Sequence, residues 1–255
     1  MASKKFHSKY TPSSKTDDIM RLNKFLAHAG LCSRRKAVDL IKDGEVSVNG
    51  KIERNPAYEV QKTDKIIHKG AIVKPNFKKV YILLNKPKNT VTTVSDEKGR
   101  RTVIDLIQNR TTERVYPVGR LDRNTLGLLL LTNDGDLARK LSHPSSQIKK
   151  TYHVVLDKSV PQADVDKILS GLTLEDGIAE VDELVYFENK PHNELSISLH
   201  SGKNRIIRRI FEHLGYEVIK LDRVFYAGLT KKDLPRGWSR HLNKKEIIML
   251  KHFIH

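Results

Sequence analysis

Four consecutive leucines, Leu128, Leu129, Leu130 and Leu131, stand between Gly127 and Asn133-Asp134-Gly135. A run so apolar and so short, closed by a strong turn signal, reads as a β-strand buried on both faces. A strand of that kind needs packing elements above and below its sheet, and this constrains the fold more than any other stretch. Just upstream, Gly119-Arg120-Leu121-Asp122-Arg123 places one carboxylate between two cations. A rigid buried strand fixes the loop that feeds it, so Asp122 sits on a good support for a functional group. Taken alone, Asp122 reads more readily as the ion-pair partner of its arginine neighbours.

Charge narrows the class. Over 255 residues, Lys and Arg outnumber Asp and Glu by 47 to 30, for a formal charge of +17. Such an excess repels itself unless a polyanion is the partner, and nucleic acid is the expected one. No apolar run approaches the ~18 residues of a spanning helix, so no membrane partner is expected. The opening MASKKFHSKYTPSSK lacks an apolar core and is not a secretory signal. A single cysteine, Cys32, excludes an internal disulfide and is too little for a zinc knuckle. The histidines are scattered without ligand spacing, so no metal site is expected. Neither G-x-G-x-x-G nor G-x-x-x-x-G-K-[ST] occurs, so no nucleotide cofactor is expected either. These features predict a cytoplasmic, cofactor-free, monomeric protein that binds nucleic acid.

Residues 1–18 read as a disordered basic arm. From residue 19 the spacing turns helical, with Leu22, Phe25, Leu26 and Ala29 on one face and Gly30 as the stop. Ser33 suits the N-cap of a second helix that buries Ala37, Leu40 and Ile41 and ends at Gly44. Val46 and Val48 then alternate into Asn49-Gly50, the strongest short hairpin signal, and Ile52 follows. This predicts a compact unit over 19–74 and a polar, Pro-broken linker over 75–79. A second domain over 80–251 interleaves strands and helices. Strands are predicted at 80–84, 149–156, 181–187, 195–200 and 218–229. Helices are predicted at 136–141, 164–169 and 203–214, with a short last element at 245–250. The fold class is α+β, with a mixed, mostly antiparallel sheet flanked by helices.

Several stretches resemble a known family. Gly119-Arg120-Leu121-Asp122, then Thr125, Gly127, the leucines and Thr132-Asn133-Asp134-Gly135, resembles the pseudouridine synthases of the small-subunit rRNA uridine synthase type. That group pairs an S4-like RNA-binding domain with a catalytic domain. The passage from Arg21 to Lys51 resembles the S4 domain itself. The Leu-Asn-Lys-Pro-Lys segment and the Thr-Val-Ile-Asp-Leu-Ile segment resemble the opening of the catalytic domain, with Asn89 where relatives show Gly. The ending, Leu-Asp-Arg-Val-Phe-Tyr and Leu234-Pro235-Arg236-Gly237-Trp238, is most like the large-subunit rRNA members.

The resemblance implies roles residue by residue. Asp122 becomes the catalytic carboxylate, acting at the ribose as nucleophile or as base. Tyr152 matches the tyrosine that stacks on the target base, although by spacing alone it reads as a core aromatic on a strand. Arg208 matches the basic residue that pairs with the aspartate, since an opposing charge a few ångström away favours the charged form; binding phosphate alone is the other reading. Relatives show Gln at the position of Ile206. Leu221 matches the apolar residue packed under the tyrosine, or is plain core. Arg21, Ser33, Arg34, Arg35 and Lys36 are expected on the RNA-facing side of the S4-like domain. Arg120, Arg123, Lys150, Lys203, Arg205 and Arg209 are expected to contact RNA from the catalytic domain. The implied function is conversion of a uridine in ribosomal RNA, alone or in an assembly intermediate, to pseudouridine. The 23S target comes first and the 16S second, with a non-catalytic assembly factor as the rival class.

Overall fold

The computed structural model describes residues 20–74 and 78–253. The basic arm over 1–18 and residues 75–77 of the linker lie outside the described residues. The chain divides into two compact units between Lys78 and Lys79.

In the first unit β1 (Met20–Arg21) leads into α1 (Leu22–His28), followed by α2 (Arg34–Lys42). The helix predicted from residue 19 begins at Leu22, because Met20 and Arg21 are extended and pair with β4. The Ser33 hydroxyl accepts the Lys36 amide at 3.1 Å and supplies the cap that α2 needs. β2 (Val46–Val48) and β3 (Lys51–Ile52) join through Asn49 and Gly50, at φ 52° and 83°. Two left-handed residues in a row are the type I′ geometry that matches strand twist. With β4 (Glu59–Val60), β5 (Ile66–His68) and β6 (Ala71–Ile72) the unit gains a sheet of order β3-β2-β5-β6. Leu22, Leu26, Ala37, Ile41, Val46 and Ile66 form its core.

The second unit is built on a nine-stranded sheet. Its strands begin with β7 (Tyr81–Lys86), β8 (Tyr116–Pro117), β9 (Leu126–Thr132) and, after helix α3 (Gly135–Ser142), β10 (Lys150–Leu156). Helix α4 (Gln162–Ser170) and the separate hairpin β11 (Leu172–Leu174) and β12 (Gly177–Ala179) come next. The chain returns through β13 (Glu183–Tyr186), β14 (Glu194–Leu199), α5 (Ile206–His213) and β15 (Val218–Tyr226). It closes with β16 (Leu229–Thr230), β17 (Ser239–His241) and α6 (Lys244–Lys251). The main order is β13-β14-β10-β15-β9-β7-β17, with β16 on β15 and β8 on β9. Every pairing in this sheet is antiparallel except β9 with β15, so the sheet is mixed and mostly antiparallel.

The leucine run behaves as its composition requires. Leu129 and Leu131 enter one core with Ile82, Leu84, Val154, Ile207 and Phe211. Leu128 and Leu130 enter the opposite core with Tyr81, Leu83, Leu137, Leu141 and Leu250. A strand alternates its side chains between faces, so double burial means helices on both sides. Burying each leucine contributes ~1.5–3 kcal/mol.

The turn signal at Asp134-Gly135 closes β9, which ends at Thr132; the Asp134 carboxylate caps α3, accepting the Leu137 amide at 3.4 Å. Two local readings differ from the structure. The helix predicted over 203–214 starts only at Ile206, because Arg205 is left-handed at φ 49°. The strand expected to stop before Asn85 continues through Asn85 and Lys86, both buried, because partners inside the protein satisfy their polar groups.

Candidate active site

Asp122 sits four residues before β9, on a loop tied down from three directions. Gly127 lets β9 run beside β15. At its φ of +106° a Cβ would lie 2.2 Å from the Arg223 carbonyl oxygen and 2.5 Å from the Arg223 nitrogen, so no side chain fits. That contact sets Leu126 against Asp222 and Gly127 against Arg223 in the parallel pair. The Thr92 hydroxyl donates to the Leu121 carbonyl at 2.7 Å and accepts the Leu121 amide at 3.3 Å. The Thr125 amide donates to the Asp122 carbonyl at 3.1 Å and closes the turn.

The third tie is Lys86, 0% exposed. Its ammonium donates to the carbonyls of Thr125 (2.8 Å), Arg123 (3.1 Å) and Pro87 (3.1 Å), so it clamps the Asp122 loop from below. Burial pushes this lysine down to about 8; Asp122 opposes the fall and Arg236 adds to it. Sequence reasoning missed Lys86 by treating it as a strand stop. Its position two residues after the apolar run Val80–Leu84 was the available signal. Asn89, where relatives show Gly, takes φ 58° and keeps the following turn, as asparagine tolerates that region.

A cleft of about 620 Å³ opens beside this loop, lined among others by Asp122, Tyr152, Ile206, Leu221 and Arg223. Arg208 Nε lies 3.9 Å from Asp122 Oδ2, with the two side chains 14% and 37% exposed. Arg208 Nη1 donates to the Val218 carbonyl at 3.0 Å, which anchors the guanidinium to the start of β15. Tyr152 is 8% exposed and belongs to the core as well as to the cleft wall, so both readings of it describe part of its surroundings. Leu221 on β15 pairs with Val154, close to Tyr152. Ile206 is buried in the same core, so apolar packing stands where relatives have an amide. Arg223 completes the floor. Its Nε donates to the Leu128 carbonyl at 2.7 Å and its guanidinium carbon lies 4.5 Å from the centre of the Tyr226 ring. A polar contact, His200 Nδ1 to Asp182 Oδ2 at 2.8 Å, also lines the cleft.

The cations expected to contact RNA are distributed unevenly. Arg120 lines the cleft and Arg123 stands exposed on the same loop. Lys150 turns its ammonium to the main chain, donating to the His200 carbonyl at 2.8 Å and the Ile148 carbonyl at 3.0 Å; burial pushes it down to about 8. Lys203 donates to the Asp176 carbonyl at 2.8 Å, and Arg205 reaches Glu212 at 3.4 Å. Arg209 forms a two-pronged pair with Asp176 at 2.8 and 3.0 Å, which raises the arginine and lowers the aspartate. These last four each have a protein partner, and Lys150, Lys203 and Arg205 line the cleft as Arg120 does. In the first unit Arg21 is exposed, and Arg34, Arg35 and Lys36 are exposed in the first turn of α2, which holds no acidic residue. Ser33 uses its hydroxyl as the cap of that helix. Among the described residues no group of three or more His, Cys, Asp and Glu is placed to hold a metal ion, and no helix is long and apolar enough to cross a membrane.

Residues 80–213 match the RNA pseudouridylate synthase family, and residues 20–66 match the S4 domain. The ribosomal large subunit pseudouridine synthase B of Bacillus subtilis (strain 168) is 42% identical over 234 residues, covering 91% of this chain and 95% of that protein. An uncharacterized RNA pseudouridine synthase of Aquifex aeolicus (strain VF5) is 39% identical over 240 residues, covering 91% and 93%. A crystal structure of a pseudouridylate synthase aligns with a TM-score of 0.65 at 25% identity, covering 91% of this chain and 99% of that one. With that family matched over residues 80–213, an S4 domain ahead of it and relatives alike over nine-tenths of the chain, the chain belongs to the RNA pseudouridylate synthase family.

Proposed function

We propose that this protein converts a uridine of large-subunit ribosomal RNA to pseudouridine in the cytoplasm, as a monomer, with Asp122, Tyr152 and Arg208 as its catalytic set. The observation that carries the roles is the Asp122–Arg208 pair at 3.9 Å, in reach of one cleft walled by Tyr152. The large-subunit assignment rests on the name of the Bacillus subtilis relative and on the resemblance of the ending, Leu234-Pro235-Arg236-Gly237-Trp238, to the large-subunit members.

The reaction breaks the bond between ribose C1′ and uracil N1, turns the base and joins C1′ to C5, after which the C5 proton leaves. A base inside a helix cannot offer both C1′ and C5 to one carboxylate, so the target uridine is flipped out. A cleft of about 620 Å³ suits one nucleotide. Arg208 aims Asp122 at the sugar, where it acts as nucleophile or as base. Tyr152 receives the uracil on its ring, and the Lys86 clamp holds the Asp122 loop still while the base turns. The S4 domain, folding as a separate domain, grips the RNA elsewhere through Arg21, Arg34, Arg35 and Lys36, and Arg120 and Arg123 meet phosphates at the rim.

The test uses large-subunit rRNA carrying tritium at uridine C5, because loss of that proton releases the label. Wild-type protein should release tritium, and Asp122→Asn should release none while binding the RNA as well or slightly better. Release by Asp122→Asn at the wild-type rate would remove Asp122 from the chemistry. Release from small-subunit but not large-subunit rRNA would move the target.

A further inference from the structure

Trp238 is the sole tryptophan of the chain, and it is 61% exposed. Tryptophan is usually largely buried, so an indole left in water on a fixed backbone calls for a ligand. The backbone here is unusually well fixed. Residues 235–238 form a turn in which the Trp238 amide donates to the Pro235 carbonyl at 3.1 Å, with Gly237 left-handed at φ 83°. Buried Asn85 holds both sides of that turn. It accepts the Gly237 amide at 2.7 Å, donates its own amide to the Trp238 carbonyl at 3.0 Å, and donates its side-chain amide to the Leu234 carbonyl at 2.7 Å. Arg236, inside the turn, pairs with Asp222, which is 2% exposed and also takes Lys231 at 2.7 Å. Burial works against that carboxylate, yet Arg236 and Lys231 hold it below its usual range. The network ends in a rigid platform with an aromatic face in solvent.

Its place in the sheet relates it to the candidate active site. Trp238 stands opposite Asn85, Asn85 opposite Leu128, Gly127 opposite Arg223, and Arg223 opposite Tyr152. Asn85 shares the face of Leu128 and Tyr152 belongs to the opposite core, so Trp238 and Tyr152 stand at one end of the sheet on opposite faces, four strand spacings or about 19 Å apart. An RNA strand that reaches both passes around that end, where the Asp122 loop enters β9. Exposed cations stand at the same end: Lys88 follows β7 and Arg123 precedes β9.

We propose that Trp238 is a stacking platform for an unpaired RNA base that flanks the flipped uridine, a few nucleotides along the strand. An aromatic face beside cations is the arrangement that binds single-stranded nucleic acid. The assignment rests on RNA being the substrate of the cleft, but stacking at Trp238 needs no turnover.

Because no other tryptophan is present, intrinsic tryptophan fluorescence reports on Trp238 alone. Oligouridylate titrated into the full-length Asp122→Asn protein should quench it saturably, and unlabelled large-subunit rRNA should do the same. Trp238→Leu should weaken binding about 5- to 150-fold, the range that loss of one stacked base gives, while Trp238→Phe keeps most of it. In turnover the Trp238→Leu loss should appear in KM and leave kcat near wild type. No quenching by either RNA, or an unchanged KM in Trp238→Leu, overturns the platform. Quenching together with an absence of tritium release from wild-type protein leaves the platform standing and overturns the proposed function instead.

Discussion

Lys86→Met is the perturbation that best tests how the Asp122 loop is held. The substitution keeps the length of the side chain and removes the ammonium from three buried carbonyls, those of Pro87, Arg123 and Thr125. Leaving each acceptor without its donor costs ~1–3 kcal/mol. Against this, the variant no longer buries a charge: the fall from 10.5 to about 8 corresponds to about 3 kcal/mol held against the ammonium. The balance is a destabilisation of ~2–4 kcal/mol, or about 5–15 °C in melting temperature for a unit of this size. Catalysis should suffer more than stability, since two of the orphaned carbonyls flank Asp122 and a shift of ~1 Å in a reacting group costs about 10²-fold. The pH dependence separates the two effects. Because the folded protein gives up this proton before the unfolded chain does, stability rises between about pH 8 and 10.5, and the burial cost is at full strength below about 8. Activity runs the other way and falls above about pH 8, as a neutral amine cannot hold all three carbonyls. Lys150 titrates over the same range, so the assignment depends on comparing wild type with Lys86→Met. The assay is tritium release from 5-labelled rRNA across pH, with thermal melting alongside. A variant that melts with wild type, turns over at its rate and keeps the alkaline fall would refute the clamp.

Other substitutions probe the rest of the site. Tyr152→Phe should keep most RNA binding and lose single-turnover rate only if the hydroxyl takes part in C5 deprotonation; Tyr152→Leu should lose both, by ~1–3 kcal/mol in affinity, and an unimpaired Tyr152→Leu would make the tyrosine plain core. Gly127→Ala would place a methyl 2.2 Å from the Arg223 carbonyl, so the parallel pairing of β9 with β15 should open; circular dichroism and melting should show a marked loss, and a wild-type melt would mean the strands separate at no cost. A chain beginning at Lys79 should fold, bind rRNA far more weakly and retain residual activity, whereas an unfolded spectrum would show that the second unit depends on the first.

Local chemistry made much of this protein legible from residue order. The two-face burial of Leu128 to Leu131 follows from composition alone, because a run with no polar position has no side to give to water. Ser33, Asn49 and Gly50 declared a cap and a hairpin because capping and left-handed turns depend on one or two residues. Asp122, Tyr152 and Arg208 were singled out by motif, from three separate stretches of the chain. That Asp122 and Tyr152 line one cleft, with Arg208 3.9 Å from Asp122, was decided by the sheet order, which sets β10, β15 and β9 side by side and brings α5 to the start of β15. Long-range pairing of that kind leaves no local trace. The same holds for Lys86, whose neighbours predict a strand end but whose partners are 37 and 39 residues away. It holds also for Lys150, Lys203, Arg205 and Arg209, whose protein partners, carbonyls and carboxylates alike, are set by the tertiary structure. Charge and pattern determined what kind of molecule this is, while the partner of each buried charge was decided only by the fold, because a buried charge must be satisfied by whatever the packed chain brings to it.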